Sequence, residues 1–226
     1  MLRKPLRRGL RLILFGLARG ALRKHQPTVI AIVGEGKTGI AREAIYTVLK
    51  SRFPVRRNLE TPDAEFVLPL TVLGTGEYPT SVLSWLRILL RSAGQLLLLP
   101  KHKNFLVLEI GSTRKETFDY FWKITRPQAL VLCGPAPYLS PGQTAPKTFK
   151  VQETEDLSGY RKVALKVGES WGISRREGEK ALENFTLPRA RIRILPARGG
   201  GVVVDATHQY FPPQEEALDE VLEAFP

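Results

Sequence analysis

Apolar positions along this chain follow two alternating patterns. Short runs of β-branched residues and leucine predict strands at residues 29–33, 105–110, 129–133, 191–195 and 201–205. Apolar residues spaced three and four apart predict helices at residues 40–50, 80–99, 117–124, 160–171, 175–185 and 214–225. Strands with so few polar residues need cover on both faces. The pattern therefore predicts an α/β fold whose sheet is doubly wound and mostly parallel.

The remaining segments set the extent of the predicted domain. Residues 66–73 are apolar but contain Pro69, and residues 140–158 are polar and rich in proline, threonine and glutamate, which is typical of a loop. With 226 residues and 43% hydrophobic content, the chain is long enough for a sizeable core. We expect one α/β domain over residues 27–226. The single cysteine, Cys133, cannot form an internal disulfide, which indicates a buried thiol and a reducing cytoplasm.

Residues 1–26 predict a separate helix that is amphipathic and basic. The segment contains eight basic residues and no acid, so it carries most of the chain's formal net charge of +12. Its apolar side chains fall on one helical stripe: Leu6, Leu10, Ile13, Leu14, Leu17 and Ala21. The apolar run at residues 12–18 is too short to span a bilayer.

Three interpretations of this helix stay open. It docks on the α/β domain, it lies on an anionic membrane surface, or it is a signal peptide. The second interpretation places a cytoplasmic protein at the inner face of the membrane. Nucleic acid is not an expected partner, because the rest of the chain has no basic stripe with interleaved aromatic residues.

A glycine-rich turn follows the first predicted strand and predicts a phosphate-binding loop. Gly34 and Gly36 would let backbone N–H groups face phosphate oxygens, Lys37 adds a positive charge, and Thr38 offers a hydroxyl to Mg²⁺. The spacing differs from Gly-x-x-x-x-Gly-Lys-[Ser/Thr], because Ala31, five positions before Gly36, still lies in the strand. A plain strand-turn-helix corner with a surface lysine is the alternative.

Many short segments match one family in order and spacing. They are residues 25–32 (HQPTVIAI), 36–38 (GKT), 42–45 (REAI), 68–74 (LPLTVLG), 106–111 (LVLEIG), 126–131 (RPQALV), 134–136 (GPA), 171–174 (WGIS), 181–185 (ALENF), Arg191, and 202–205 (VVVD) with Pro212. Together they make residues 27–226 resemble the central, ATP-binding domain of the Mur ligases. The closest branch adds D-alanyl-D-alanine to a UDP-muramoyl tripeptide in peptidoglycan synthesis.

The resemblance implies a chemistry and assigns residues to it. In these ligases ATP phosphorylates a carboxylate, and an amine then attacks the acyl phosphate. The resemblance implies that Lys37 contacts the β- and γ-phosphates, that Thr38 and Glu109 hold Mg²⁺, and that Asp205 is a weak catalytic candidate. Glu109 fits independently, because a carboxylate at the end of a strand beside the loop strand suits a nucleotide-bound metal. The alternative for Glu109 is a strand-end carboxylate that caps a helix.

Several departures from the family pattern predict a degenerate site. The loop is one residue short, Gly39 and Ile40 replace two hydroxyl positions, and Glu35 places a carboxylate where phosphate would bind. Pro137 stands where the family has a histidine, and proline cannot ligate a metal. We find no counterpart of the lysine that the family carbamoylates, and 140–158 is shorter than the matching region.

Three functional hypotheses follow. The chain is a non-catalytic homologue that binds ATP and Mg²⁺ weakly or not at all and acts through a partner such as a cell-wall protein. Alternatively, it is an acid–amino-acid ligase that works only with a complementing chain, since we expect no C-terminal ligase domain in this sequence. The third hypothesis is a nucleotide-binding or phosphotransfer protein outside the family.

Overall fold

The computed structural model describes residues 4–35, 37–58, 65–75, 79, 81–98, 104–110, 114–152, 158–183, 185, 193–196 and 202–205. The chain divides into two compact units, residues 1–185 and 186–226. The described part of the second unit is an antiparallel pair of strands, Arg193–Pro196 and Val202–Asp205. Gly36 and the helix predicted at 214–225 lie outside the described residues.

The first unit contains five strands and seven helices among its described residues. The strands are β1 (Thr28–Val33), β2 (Val55–Arg57), β3 (Phe105–Glu109), β4 (Ala129–Leu132) and β5 (Lys147–Lys150). The helices are α1 (Lys4–His25), α2 (Thr38–Lys50), α3 (Val67–Val72), α4 (Val82–Leu98), α5 (Lys115–Thr125), α6 (Ser158–Glu169) and α7 (Arg175–Glu183). The strands form one sheet in the order β2-β3-β1-β4-β5, and all four pairings are parallel.

Helices cover both faces of this sheet, which confirms the α/β prediction. Helix α2 links β1 to β2, and α5 links β3 to β4 in the opposite direction along the sheet. Right-handed crossovers therefore place these helices on opposite faces. On one face, Val29, Ala31 and Val33 of β1 share a buried cluster with Phe121 of α5 and Ala18 of α1. The alternate residues of β1 are equally buried on the other face, where α2, α6 and α7 pack on one another.

The sequence pattern predicts neither of the two edge strands. Strand β5 lies inside the segment 140–158, so the prediction of a loop is wrong at Lys147–Lys150. An edge strand pairs on one side only, and here the side chains are exposed apart from the half-buried Phe149, so no apolar run marks it. Strand β2 is only three residues long and reads Val-Arg-Arg. The buried thiol of Cys133 is confirmed.

The N-terminal helix α1 packs on other helices of the first unit. Leu10, Leu14 and Ala18 are buried where α1 contacts α3, α4 and α5. Two members of the predicted stripe, Leu6 and Ile13, are exposed instead. The face of α1 that packs against the other helices is centred on Leu10, Leu14 and Ala18. None of the described helices is long and apolar enough to cross a membrane.

Candidate functional site

The carboxyl edge of the sheet brings two of the predicted site residues together. Thr38 begins α2 directly after the loop that follows β1, and Glu109 ends β3, where it pairs in register with Ile32 of β1. The Thr38 hydroxyl donates a hydrogen bond of 2.5 Å to Oε1 of Glu109. The pairing of loop and strand end that the sequence predicts is therefore present in the structure.

The turn before α2 is fastened to the end of β4. Gly34 has a φ of +138°, and a Cβ there would lie 2.0 Å from the carbonyl oxygen of Cys133, so only glycine fits. The Glu35 N–H donates to the carbonyl oxygen of Pro135 at 2.9 Å. This N–H is thus already bonded within the protein, while a phosphate-binding loop turns such groups toward phosphate. Lys37 is half-buried and caps α2 with its carbonyl, which accepts from the Ile40 N–H at 3.0 Å.

Glu109 is held by partners on every side. Nη1 of Arg42 donates to Oε2 of Glu109 at 2.7 Å, and both side chains are only 8% exposed. The Asn58 amide donates to the Glu109 carbonyl at 3.1 Å and accepts from the Glu109 N–H at 2.9 Å. Both carboxylate oxygens therefore have a partner within the protein.

Further charges extend this group into a neutral network. Glu43 accepts from Arg42 at 3.1 Å and from Arg57 at 2.8 Å. The Arg57 guanidinium also lies 3.7 Å from the centre of the Tyr46 ring. Two arginines thus balance two glutamates, one of which is Glu109.

Sequence reasoning missed this network, although one part of it carried a signal. Arg42 follows Thr38 by four residues on α2, so both lie on the same helix face and reach the same strand end. Asn58 had no such signal, because it follows the short strand β2 that no apolar run predicts.

The described donors for a nucleotide-bound Mg²⁺ are Thr38 and Glu109, and Glu109 is already paired with Arg42. Thr38 and Glu109 supply two kinds of oxygen, and the described residues contain no group of three or more His, Cys, Asp or Glu side chains that could hold a metal. Mg²⁺ needs oxygen ligands in octahedral geometry. The Arg42 guanidinium already supplies a positive charge beside Glu109, where the metal's charge would lie. The N-terminus of α2 and Lys37 remain as features that suit a phosphate.

The structure tests no role for the other predicted positions. Asp205 ends a strand of the second unit, in register with Arg193, so its role stays a prediction. Pro137 is exposed in the segment after β4. Gly36 lies outside the described residues.

Comparisons with known proteins add the wider setting. No protein-family model and no curated protein matches the sequence. The chain is similar to the UDP-N-acetylmuramoylalanyl-D-glutamyl-2,6-diaminopimelate–D-alanyl-D-alanyl ligase from Acinetobacter baumannii, with a TM-score of 0.56 and 15% identity over 96% of this chain. A crystal structure of MurF from the same organism gives a TM-score of 0.55 and 15% identity over 96% of this chain. The fold resembles that of a MurF ligase.

The similarity has a defined extent. The chain spans 59% and 58% of the length of those two ligase structures. At 15% identity the similarity concerns the fold. The resemblance predicted from the motifs is therefore confirmed for the α/β architecture, and the activity of a complete MurF ligase enters only as a proposal.

Proposed function

We propose that this chain is a Mur ligase-like α/β domain, related to the ligases of peptidoglycan precursor synthesis, whose nucleotide site is degenerate. It binds ATP with a dissociation constant above about 100 μM, gains little from Mg²⁺, and forms no amide bond by itself. The observation that carries this proposal is the buried ion pair of Arg42 with Glu109.

The ion pair opposes metal binding for a physical reason. A metal at Glu109 would share the carboxylate with the Arg42 guanidinium, which lies 2.7 Å from Oε2, and two neighbouring cations repel one another. Arg42 would then remain close to a divalent cation. Glu35 opposes the phosphate and not the metal, since like charges about 4 Å apart cost roughly 1–4 kcal/mol, depending on solvent access.

The alternative is an ATP-dependent acid–amino-acid ligase that works with a complementing chain. Its support is the hydrogen bond between Thr38 and Glu109, which preserves the contact between the loop helix and the neighbouring strand end. In this alternative the second chain supplies groups that orient substrates, because positioning and electrostatics provide most of the rate of phosphoryl transfer.

An activity assay separates the two proposals. The purified chain is incubated with Mg²⁺-ATP, a UDP-muramoyl tripeptide and D-alanyl-D-alanine, and phosphate release is measured beside Lys37→Ala. The degenerate site predicts background release that Lys37→Ala leaves unchanged. Release that disappears in Lys37→Ala, alone or after addition of a candidate partner chain, would support the ligase.

We also propose an anionic membrane surface as a partner. Large apolar side chains are exposed on two helices that contact each other: Leu6, Leu12 and Ile13 on α1, and Val82, Leu83, Leu86 and Leu90 on α4. Arg87 and Arg91 lie on the exposed face of α4. An apolar face flanked by arginines has the composition of an interfacial helix, which inserts shallowly and attracts anionic lipid. This would place the protein at the inner face of the membrane.

A further inference from the structure

A cleft between α1 and α5 is lined mainly by cationic residues. Its volume is about 540 Å³, and its lining comprises Phe15, Gly16, Arg19, Gly20, Arg23, Lys123 and Arg126. Four of these seven residues are cationic and none is acidic. None of the four cations forms a salt bridge among the residues that the structure describes.

The arginines of α1 differ between its two halves. In the first half, Arg7 and Arg11 form ion pairs with Glu65 at 2.5 and 3.2 Å. In the second half, Arg19 donates to the carbonyl oxygen of Lys123 at 2.9 Å, and Arg23 is exposed. Burial lowers the pKa of Arg19, and the positive charges of Arg126 and Arg23 lower it further. These three arginines also share the lining of the cleft.

Helix ends do not neutralise the cleft. Arg11 bonds to the carbonyl of Glu116 and Arg19 to that of Lys123, so α1 and α5 run parallel and both end near the cleft. Each carboxyl end contributes about half a negative charge. Two ends therefore offset about one of four positive charges, and an excess of about three remains.

The cleft is separate from the nucleotide site. Helices α1 and α5 end just before β1 and β4 begin, which places the cleft at the amino edge of the sheet. The glycine-rich loop follows the other end of β1, so about 20 Å of strand separates the two places. A ligand in the cleft is thus a different molecule from a nucleotide at the loop.

We propose that this cleft binds the phosphate group of an organic phosphate. Arginine forks and a lysine are the side chains that hold phosphate best, because their hydrogen bonds to it are charge-assisted. Gly16 leaves open space along α1, and Phe15 offers an apolar wall beside the charges. The cleft volume suits a phosphate with a small organic group attached.

Two sources share this chemistry, namely a soluble phosphate ester and the headgroup of an anionic lipid. The proposal does not depend on the nucleotide site, so it stands or falls separately from the degenerate-site proposal. The test uses the full chain, with glycerol 3-phosphate as soluble probe and vesicles of phosphatidylglycerol and phosphatidylcholine as lipid probe.

The informative variant is Arg23→Gln/Arg126→Gln, because both side chains are exposed and their replacement leaves the core untouched. Arg52→Gln/Arg176→Gln is the matched control, since it removes the same charge from exposed arginines outside both the cleft and the α1 and α4 helices. We expect the cleft variant to weaken binding about tenfold and the control to weaken it less than about twofold at moderate salt. Lys37→Ala should bind glycerol 3-phosphate like the original chain.

The two probes distinguish the sources. Binding of glycerol 3-phosphate that only the cleft variant weakens supports a soluble ligand. Binding to anionic vesicles that the cleft variant weakens more than the control, without measurable glycerol 3-phosphate binding, supports a lipid headgroup. Equal losses in the two double variants, or no binding of either probe, would overturn the proposal.

Discussion

The two edges of the parallel sheet differ in how their charged side chains are paired. At the carboxyl edge, Glu109 and Glu43 are matched by Arg42 and Arg57, so the group is neutral, and its Arg42–Glu109 pair is buried. At the amino edge, the α1–α5 cleft gathers four cations, none of which forms a salt bridge with a described residue. A site whose charges are satisfied within the protein has little to offer a ligand, whereas unmatched charge favours binding an ion of opposite sign. The edge that carries the recognisable motif is therefore the less reactive one in this account.

The largest expected effect tests whether the pair at the carboxyl edge is a true buried ion pair. Glu109→Ala leaves the Arg42 guanidinium buried with only Glu43, so we expect the free energy of unfolding to fall by about 3–5 kcal/mol in urea titrations. Glu179→Ala is the control, because Glu179 pairs with Arg175 on an exposed helix face. A loss in Glu109→Ala as small as in this control would contradict the comparison.

A second variant removes Arg42 and tests whether Glu109 can then bind Mg²⁺. Arg42→Gln removes the competing cation and keeps a shorter side chain that can donate hydrogen bonds. We expect Mg²⁺ to strengthen ATP binding about tenfold in this variant and hardly at all in the original chain, as measured by calorimetry. Equal dependence on Mg²⁺ in both chains would mean that Arg42 does not block the metal.

Replacing exposed leucines of α4 should have a smaller effect, which is on binding to anionic vesicles. Leu86→Gln/Leu90→Gln should weaken binding to phosphatidylglycerol vesicles about fivefold, because two partly inserted leucines no longer enter the lipid. The melting temperature should stay the same, since Leu86 and Leu90 are 51% and 65% exposed. Unchanged vesicle binding would restrict the membrane proposal to α1.

The smallest effect concerns Asp119, a half-buried carboxylate on α5. The hydrogen bond from Lys115 to Asp119 holds the pKa of that carboxyl below its usual range, with further help from Gln143 and nearby lysines. A lowered pKa in the folded state stabilises the protein above the unfolded pKa of about 3.9, and this contribution disappears as the pH falls through the folded value. Asp119→Asn should therefore cost less than about 1 kcal/mol at pH 7, and the difference should vanish in strong acid. A difference that grew in acid would reverse the assigned sign.

Burial decided which strands the sequence could predict. Strands β1, β3 and β4 lie inside the sheet with helices on both faces, so they appear as apolar runs. Strands β2 and β5 lie at the edges, where backbone pairing is enough and polar side chains are tolerated. Their positions depend on register with a neighbour, which no local pattern records.

The same distinction applies to the candidate site. Thr38 and Glu109 could be matched from the sequence, because a loop helix and a strand end in a parallel sheet meet at one edge. Arg42 could have been added from its spacing to Thr38. Asn58 and Arg57 could not, because both depend on β2, and the α1–α5 cleft depends on how two distant helices pack.

In the proposed function, the Arg42–Glu109 pair leaves the nucleotide site unable to use Mg²⁺. The most direct measurement is a calorimetric titration of the chain with ATP, in Mg²⁺ and in EDTA, beside Lys37→Ala. We expect a dissociation constant for ATP above about 100 μM in both buffers. Submicromolar binding that requires Mg²⁺ and is lost in Lys37→Ala would contradict it.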